Sequence, residues 1–194
     1  MPTAHSSFRR SLTGRLRMGP IVAAVLAGVA CSDSAVTAPQ AFDPPGTHRS
    51  TLTALGGTGT GGVSVTPVAV PQGYFTADIK LRMHGGKPNT VYIVQRAPEI
   101  GRAMSSDGVC QRALGLAPWS PSDAPAPAFV TFAKSDGTPF TITTSASGDG
   151  SLDFNFVAAM IPTGTHFDVM FRALDDLAAP TSVFLSGCFT VAVL

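Results

Sequence analysis

Residues able to do chemistry are few in this chain, and they are scattered. General acid–base catalysis needs a histidine beside a nucleophile and an orienting acid. His48 sits in a small, polar stretch, His84 precedes the turn Gly85-Gly86-Lys87-Pro88-Asn89, and His166 opens an alternating segment. Ser105-Ser106-Asp107 lies in a polar loop, and no Gly-x-Ser-x-Gly elbow accompanies it. Asp136 in Ser-Asp-Gly-Thr and Asp149 in Ser-Gly-Asp-Gly have the setting of hairpin-turn acids. Asp175-Asp176 could add oxygens to a calcium site, but no stretch has the spacing of an EF-hand loop. Neither Cys-x-x-Cys nor His-x-x-x-His spacing occurs, so no metal and no cofactor is expected. The run Gly56-Gly57-Thr58-Gly59-Thr60-Gly61-Gly62 lacks the Lys-Ser/Thr that makes a phosphate loop. Trp119, in a proline-rich stretch, has the character of a binding anchor or of a plug over an open core. No catalytic set emerges.

Cysteines carry more information. Arg9, Arg10, Arg15 and Arg17, with no acid among them, precede the apolar run from Ile21 to Ala30, and Cys31 follows it. A basic start, a short apolar stretch and small residues before a cut site make a secretory signal. The run is too short for a bilayer span, which needs ~20 apolar residues. With Cys31 directly after Gly28-Val29-Ala30, the segment resembles a bacterial lipoprotein signal peptide. That resemblance implies cleavage before Cys31, lipidation of Cys31 and anchoring in the cell envelope, with the outer membrane favoured over the inner. Gly28-Val29-Ala30 also suits an ordinary signal peptidase, which would leave a soluble, secreted protein. Cys110 and Cys188 remain as an even pair in an oxidising compartment and read as a disulfide.

The 194-residue chain has net charge +1, with 13 Lys and Arg against 12 Asp and Glu. Without the four signal arginines the balance turns slightly acidic. No basic face for nucleic acid is visible. Twenty glycines, 16 prolines and only 13% charged residues favour turns over helices. This composition and spacing predict three parts: a signal peptide over 1–30, a lipid-anchored flexible tether over 31–62, and one folded domain over 63–194.

The elements that must position any site read as strands. Phe75, Ala77, Ile79, Leu81 and Met83 alternate with Thr76, Asp78, Lys80, Arg82 and His84. Such a period of two gives one dry and one wet face. Tyr92 and Val94, Phe140 and Ile142, Leu152 to Phe156, Phe167 to Phe171, and a last strand over 182–193 continue the pattern. About eight strands and no convincing helix predict an all-β, antiparallel two-sheet sandwich, with a jelly roll or small barrel as the alternative. Residues 98–127, with five prolines, predict a long irregular loop. A Cys110–Cys188 bond would staple it to the last strand, worth roughly 4–4.5 kcal/mol in chain entropy.

The segment Met160-Ile161-Pro162-Thr163-Gly164-Thr165-His166-Phe167 resembles the Leu-x-Pro-Gly-Thr-x-Tyr corner of fibronectin type III and other immunoglobulin-like domains, with Phe167 at the Tyr position. The resemblance implies an Ig-like sandwich. The expected function is a non-catalytic binding or structural module on the envelope, held to the membrane by its lipid and facing an unnamed envelope or extracellular ligand. The alternative is a secreted enzyme or inhibitor on the same scaffold.

Overall fold

Alternation of large apolar and small polar residues dominates the computed structural model, which describes residues 46–70, 74–99, 106–114, 128–158 and 161–194. Ten strands form: β1 (His48–Ala54), β2 (Thr60–Val68), β3 (Thr76–His84), β4 (Val91–Glu99), β5 (Val130–Thr131), β6 (Thr141–Thr143), β7 (Gly150–Val157), β8 (His166–Leu174), β9 (Val183–Ser186) and β10 (Phe189–Ala192). One helical turn, α1 (Gln111–Leu114), interrupts them. All pairings are antiparallel. The all-β expectation holds.

Hydrogen bonding runs through one continuous sheet, in the order β5-β4-β8-β9-β1-β2-β3-β7, with β6 on β4 and β10 on β8. Two separate sheets were predicted. The join is β1, which pairs with β2 along one edge and β9 along the other. The sheet curls on itself, because side chains from opposite ends of that path meet. Phe132, just past β5, lies 5.1 Å from both Phe154 and Phe156 of β7, ring centre to ring centre. Phe75 meets Phe167 edge-on at 5.2 Å.

β1 also corrects the tether. Residues 48–54 and the start of β2 fall inside the stretch predicted to be flexible. Only Leu52 of β1 is large, apolar and buried, so the segment has little strand signal of its own. Its order comes from pairing on both edges. The glycines there allow close approach rather than flexibility: a Cβ at Gly61 would overlap the Arg82 carbonyl oxygen. Among the described residues the sheet accordingly begins at His48 rather than at residue 63.

β8 lies at the centre, buried on both faces. Phe167, Val169, Phe171 and Ala173 point into the main core, whereas Met170 packs on the outside with Ala97, Cys110 and Phe129. The last strand is broken by a bulge. Leu185 pairs with Arg172 and Phe189 with Val169, so Ser186, Gly187 and Cys188 face only Met170 and Phe171. The extra residue reverses which side chains point inward. Phe184 faces the core before it, Val191 after it, and Cys188 faces out.

Of the predicted loop, Pro98 and Glu99 belong to β4 and Gln111–Leu114 to α1. Cys110 and Cys188 are disulfide-bonded, with Cα atoms 5.6 Å apart. Residues 1–45, including the signal segment and Cys31, and Trp119 lie outside the described residues.

Candidate functional site

Inward-facing side chains do not fill the curled sheet evenly. Toward the end formed by the last residues of β2, β4 and β7 and the first of β3 and β8, a cavity of about 310 Å³ opens. Phe75, Phe132, Phe156, Phe167 and Phe171 wall it, with Ile161 from the β7–β8 connection. The lining is overwhelmingly apolar.

Arg96 is the exception. Period two along β4 sends Tyr92, Val94, Arg96 and Pro98 to the inner face, so a guanidinium stands in the cavity wall. It lies 4.4 Å from the ring centres of both Phe132 and Phe156. Such contacts contribute about 0.5–2 kcal/mol, but a π face is not a hydrogen-bond acceptor of carboxylate strength. Among the described residues the Arg96 guanidinium has no hydrogen bond and no ion pair. Burial, and secondarily the nearby Arg112, pushes its pKa down to about 10. The group therefore stays charged at neutral pH. Sequence reasoning did not single out Arg96. The signal was present: extending the Tyr92–Val94 alternation by two positions places a charge at an inward site.

The outer face of the same strands treats its charges differently. Asp168 is 2% exposed, and its carboxylate accepts the Asp107 and Gly108 N–H groups, each at 3.0 Å, and the Thr190 hydroxyl at 2.6 Å. Glu99, its register partner, accepts the Arg112 N–H at 3.1 Å. Burial raises the Glu99 pKa against that amide, with Asp107 and Asp168 adding to the rise. Arg172 stacks on Phe129 at 4.2 Å, as Arg96 does on its rings, but its Nε donates to Gln95 Oε1 at 2.6 Å. The disulfide closes this face.

Ser105 lies outside the described residues, and the other described candidates make turn and strand contacts. His84 Nδ1 lies 3.0 Å from Asp149 Oδ1, and the Ser147 hydroxyl donates to Asp149 Oδ2 at 2.7 Å. The carboxylate stands between serine and histidine, so the imidazole is not placed to take the serine proton as a triad requires. His48 accepts the Ala192 N–H at 3.3 Å, and burial, with His166 nearby, lowers its pKa. Asp107 accepts the Val109 N–H and the Gln111 side-chain amide. Asp176 caps the Ala178 and Ala179 amides, and Asp175 binds Lys87. No group of three or more His, Cys, Asp or Glu side chains among the described residues could hold a metal ion. No described helix is long and apolar enough to cross a membrane.

No known family model, curated protein or solved structure matches this chain.

Proposed function

We propose that the chain is an exported, lipid-anchored binding module of the bacterial cell envelope, non-catalytic, with its site in the Phe-lined cavity. The observation that carries the reading is that cavity: about 310 Å³, apolar, with one guanidinium in its wall. Well-packed cores leave few voids larger than a water molecule. Small-molecule sites are mostly apolar clefts of about 300–1,000 Å³ with a few placed polar groups. The export and anchoring rest on the arginine-rich start, the apolar run and Cys31.

An Ig-like sandwich is the architecture we infer beneath the continuous sheet. With β1 set aside, the path separates into β2-β3-β7 and a second run of β5 and β6, β4, β8, and β9 with β10. Assigning β2, β3, β4, β7, β8 and β9–β10 to strands A, B, C, E, F and G puts A, B and E together and C, F and G together, as in such domains. The corner supports the same assignment. It connects β7 to β8, Gly164 has φ +83°, Ile161 packs on the core, and Phe167 is buried at the start of β8. Without a hydroxyl, Phe167 makes the corner's packing but not its hydrogen bond.

Two measurements test the reading. The purified full-length chain should take up the neutral fluorophore 1-naphthylamine saturably at one site, and Ala158→Phe at the cavity wall should reduce that uptake several-fold. Folded protein with no saturable uptake would remove the binding function. Cys31→Ser should leave the signal uncut and shift the protein from the detergent phase to the soluble fraction. A variant still processed and still membrane-bound would remove the anchor.

A further inference from the structure

Arg96 and Arg172 are a natural pair for comparison. Both are half-buried, both stack on phenylalanine, and burial lowers the pKa of each. Arg172, on the outer face, also has the Gln95 carbonyl at 2.6 Å. Arg96, on the inner face, has aromatic rings and a cavity. The outer carboxylate Asp168 has three donors. Arg172 and Asp168 thus have polar partners, as desolvated charge requires. Among the described residues no acid acts on Arg96: the charged neighbour acting on it is Arg112, another cation. A guanidinium presents a planar fork of donors suited to a carboxylate.

The cavity sets the size of what can bring that carboxylate. A cavity of about 150 Å³ holds a benzene ring, so about 310 Å³ takes roughly twice as many heavy atoms, near a dozen. That is a medium-length acyl chain. The aromatic and aliphatic lining offers such a chain no hydrogen bond and needs none from it.

We propose that the cavity binds a medium-chain aliphatic carboxylate, its chain among Phe75, Phe156, Phe167 and Phe171 and its carboxylate paired with Arg96. The proposal rests on the binding function argued above and adds the chemical class of ligand. Anion pairing would convert Arg96 from an uncompensated charge into a bidentate partner, so binding should stabilise the fold.

Competition against 1-naphthylamine on the full-length chain at pH 8 tests this, with decanoate and decanol as matched probes. Decanoate should displace the dye at least tenfold more effectively than decanol. Arg96→Met, which keeps the stem length without the charge, should remove that preference, weakening decanoate at least tenfold and leaving decanol unchanged or tighter. Decanoate should also raise Tm in the parent protein and not in Arg96→Met. Equal displacement by acid and alcohol in the parent protein, or unchanged decanoate binding in Arg96→Met, would overturn the carboxylate assignment while leaving a binding cavity. If Arg96→Met fails to fold, Arg96→Lys gives the second reading: a single charge without the fork should retain a preference for decanoate, at reduced affinity, and full loss or full retention would contradict bidentate pairing. Saturable dye uptake that neither probe reduces would also overturn it. Absence of dye uptake would instead strike the binding function itself.

Discussion

At one end of the curled sheet backbone lies against backbone; at the other, rings surround a space they do not fill. The close end gathers Gly61, Gly86 and Gly148. The Gly86 N–H donates to the Gly148 carbonyl at 3.0 Å, and a Cβ at Gly148 would overlap the Gly86 oxygen. Tyr92, fully buried there, meets Phe184 edge-on at 5.8 Å, accepts the Lys87 N–H at 2.9 Å and shares a hydrogen bond with Ser182 at 2.7 Å. Every part of that tyrosine is met. The open end has five phenylalanines and a guanidinium lacking an acceptor. Glycine and a satisfied hydroxyl hold the fold together; large rings and an unsatisfied cation create room in it. Close packing and open space lie at opposite ends of one core.

The largest expected effect is at the close end. Gly148→Ala adds a left-handed backbone, φ +82°, at roughly 1–2 kcal/mol, to an overlap costing about 1–3 kcal/mol. Urea denaturation should show a loss of about 3 kcal/mol. Gly137 has the same φ of +82° but nothing within 4 Å of its Cβ direction, so Gly137→Ala should lose only about 1 kcal/mol. Equal losses would mean that backbone conformation, not contact, makes the close end.

Next is the wall behind the cavity. Cys110→Ala combined with Cys188→Ala should cost about 2–4 kcal/mol and raise hydrogen exchange over 106–114 well before β3 and β7. A uniform rise would show that the disulfide does not act locally on that face.

Asp175 ties the close end to the β8–β9 loop. Its carboxylate binds Lys87 Nζ at 2.6 Å, the Thr181 N–H and hydroxyl, and the Ser182 N–H at 3.0 Å. Burial alone would raise its pKa, but the Lys87 bond first and then the Thr181 and Ser182 donors hold it well below the usual carboxylate range. A depressed folded pKa gives stability that is present above the unfolded value, about 3.9, and is lost as pH falls toward the folded one. Asp175→Asn should therefore cost about 2 kcal/mol at pH 7 and progressively less below about pH 4. A pH-independent difference would exclude the ion pair as its cause.

The smallest effect compares one added methylene at each end. Val169→Ile lines the cavity and should gain about 0.5 kcal/mol. Val94→Ile, fully buried in the packed part of the same core, should lose about 1 kcal/mol. Opposite signs sharpen the contrast; losses at both positions would mean that the open end is as tightly packed as the other.

Much of this was legible in the residues. β3 and β7 alternate strictly, and Gly137 and Gly148 adopt the positive φ their turns predict. The cysteine pair followed from compartment and parity. β1 was not legible, because a strand with one buried aliphatic owes its order to two neighbours distant in sequence. Arg96 was hidden for a related reason. Inward and outward are defined only once β4 has a partner, and a lone arginine in an apolar run otherwise reads as surface. The bulge leaves no mark at all, since Val183–Ala192 looks like one strand with a glycine in it.

That bulge gives the gene one residue of slack. Between Leu185 and Phe189 one residue is surplus to the pairing with β8. Losing the Gly187 codon would set Ser186, Cys188 and Phe189 opposite Phe171, Met170 and Val169, so Phe189, Val191 and Val193 would still face the core and Cys188 the outer face. β8 has no such slack. It pairs without interruption with β4, and a codon lost at Met170 would turn the residues on one side of it to the wrong face. Leu177, Ala178 and Ala179 lie in an exposed loop, where a codon gained or lost shifts no strand's phase. Natural length variants should therefore accumulate in that loop and at the bulge, and be absent from β8.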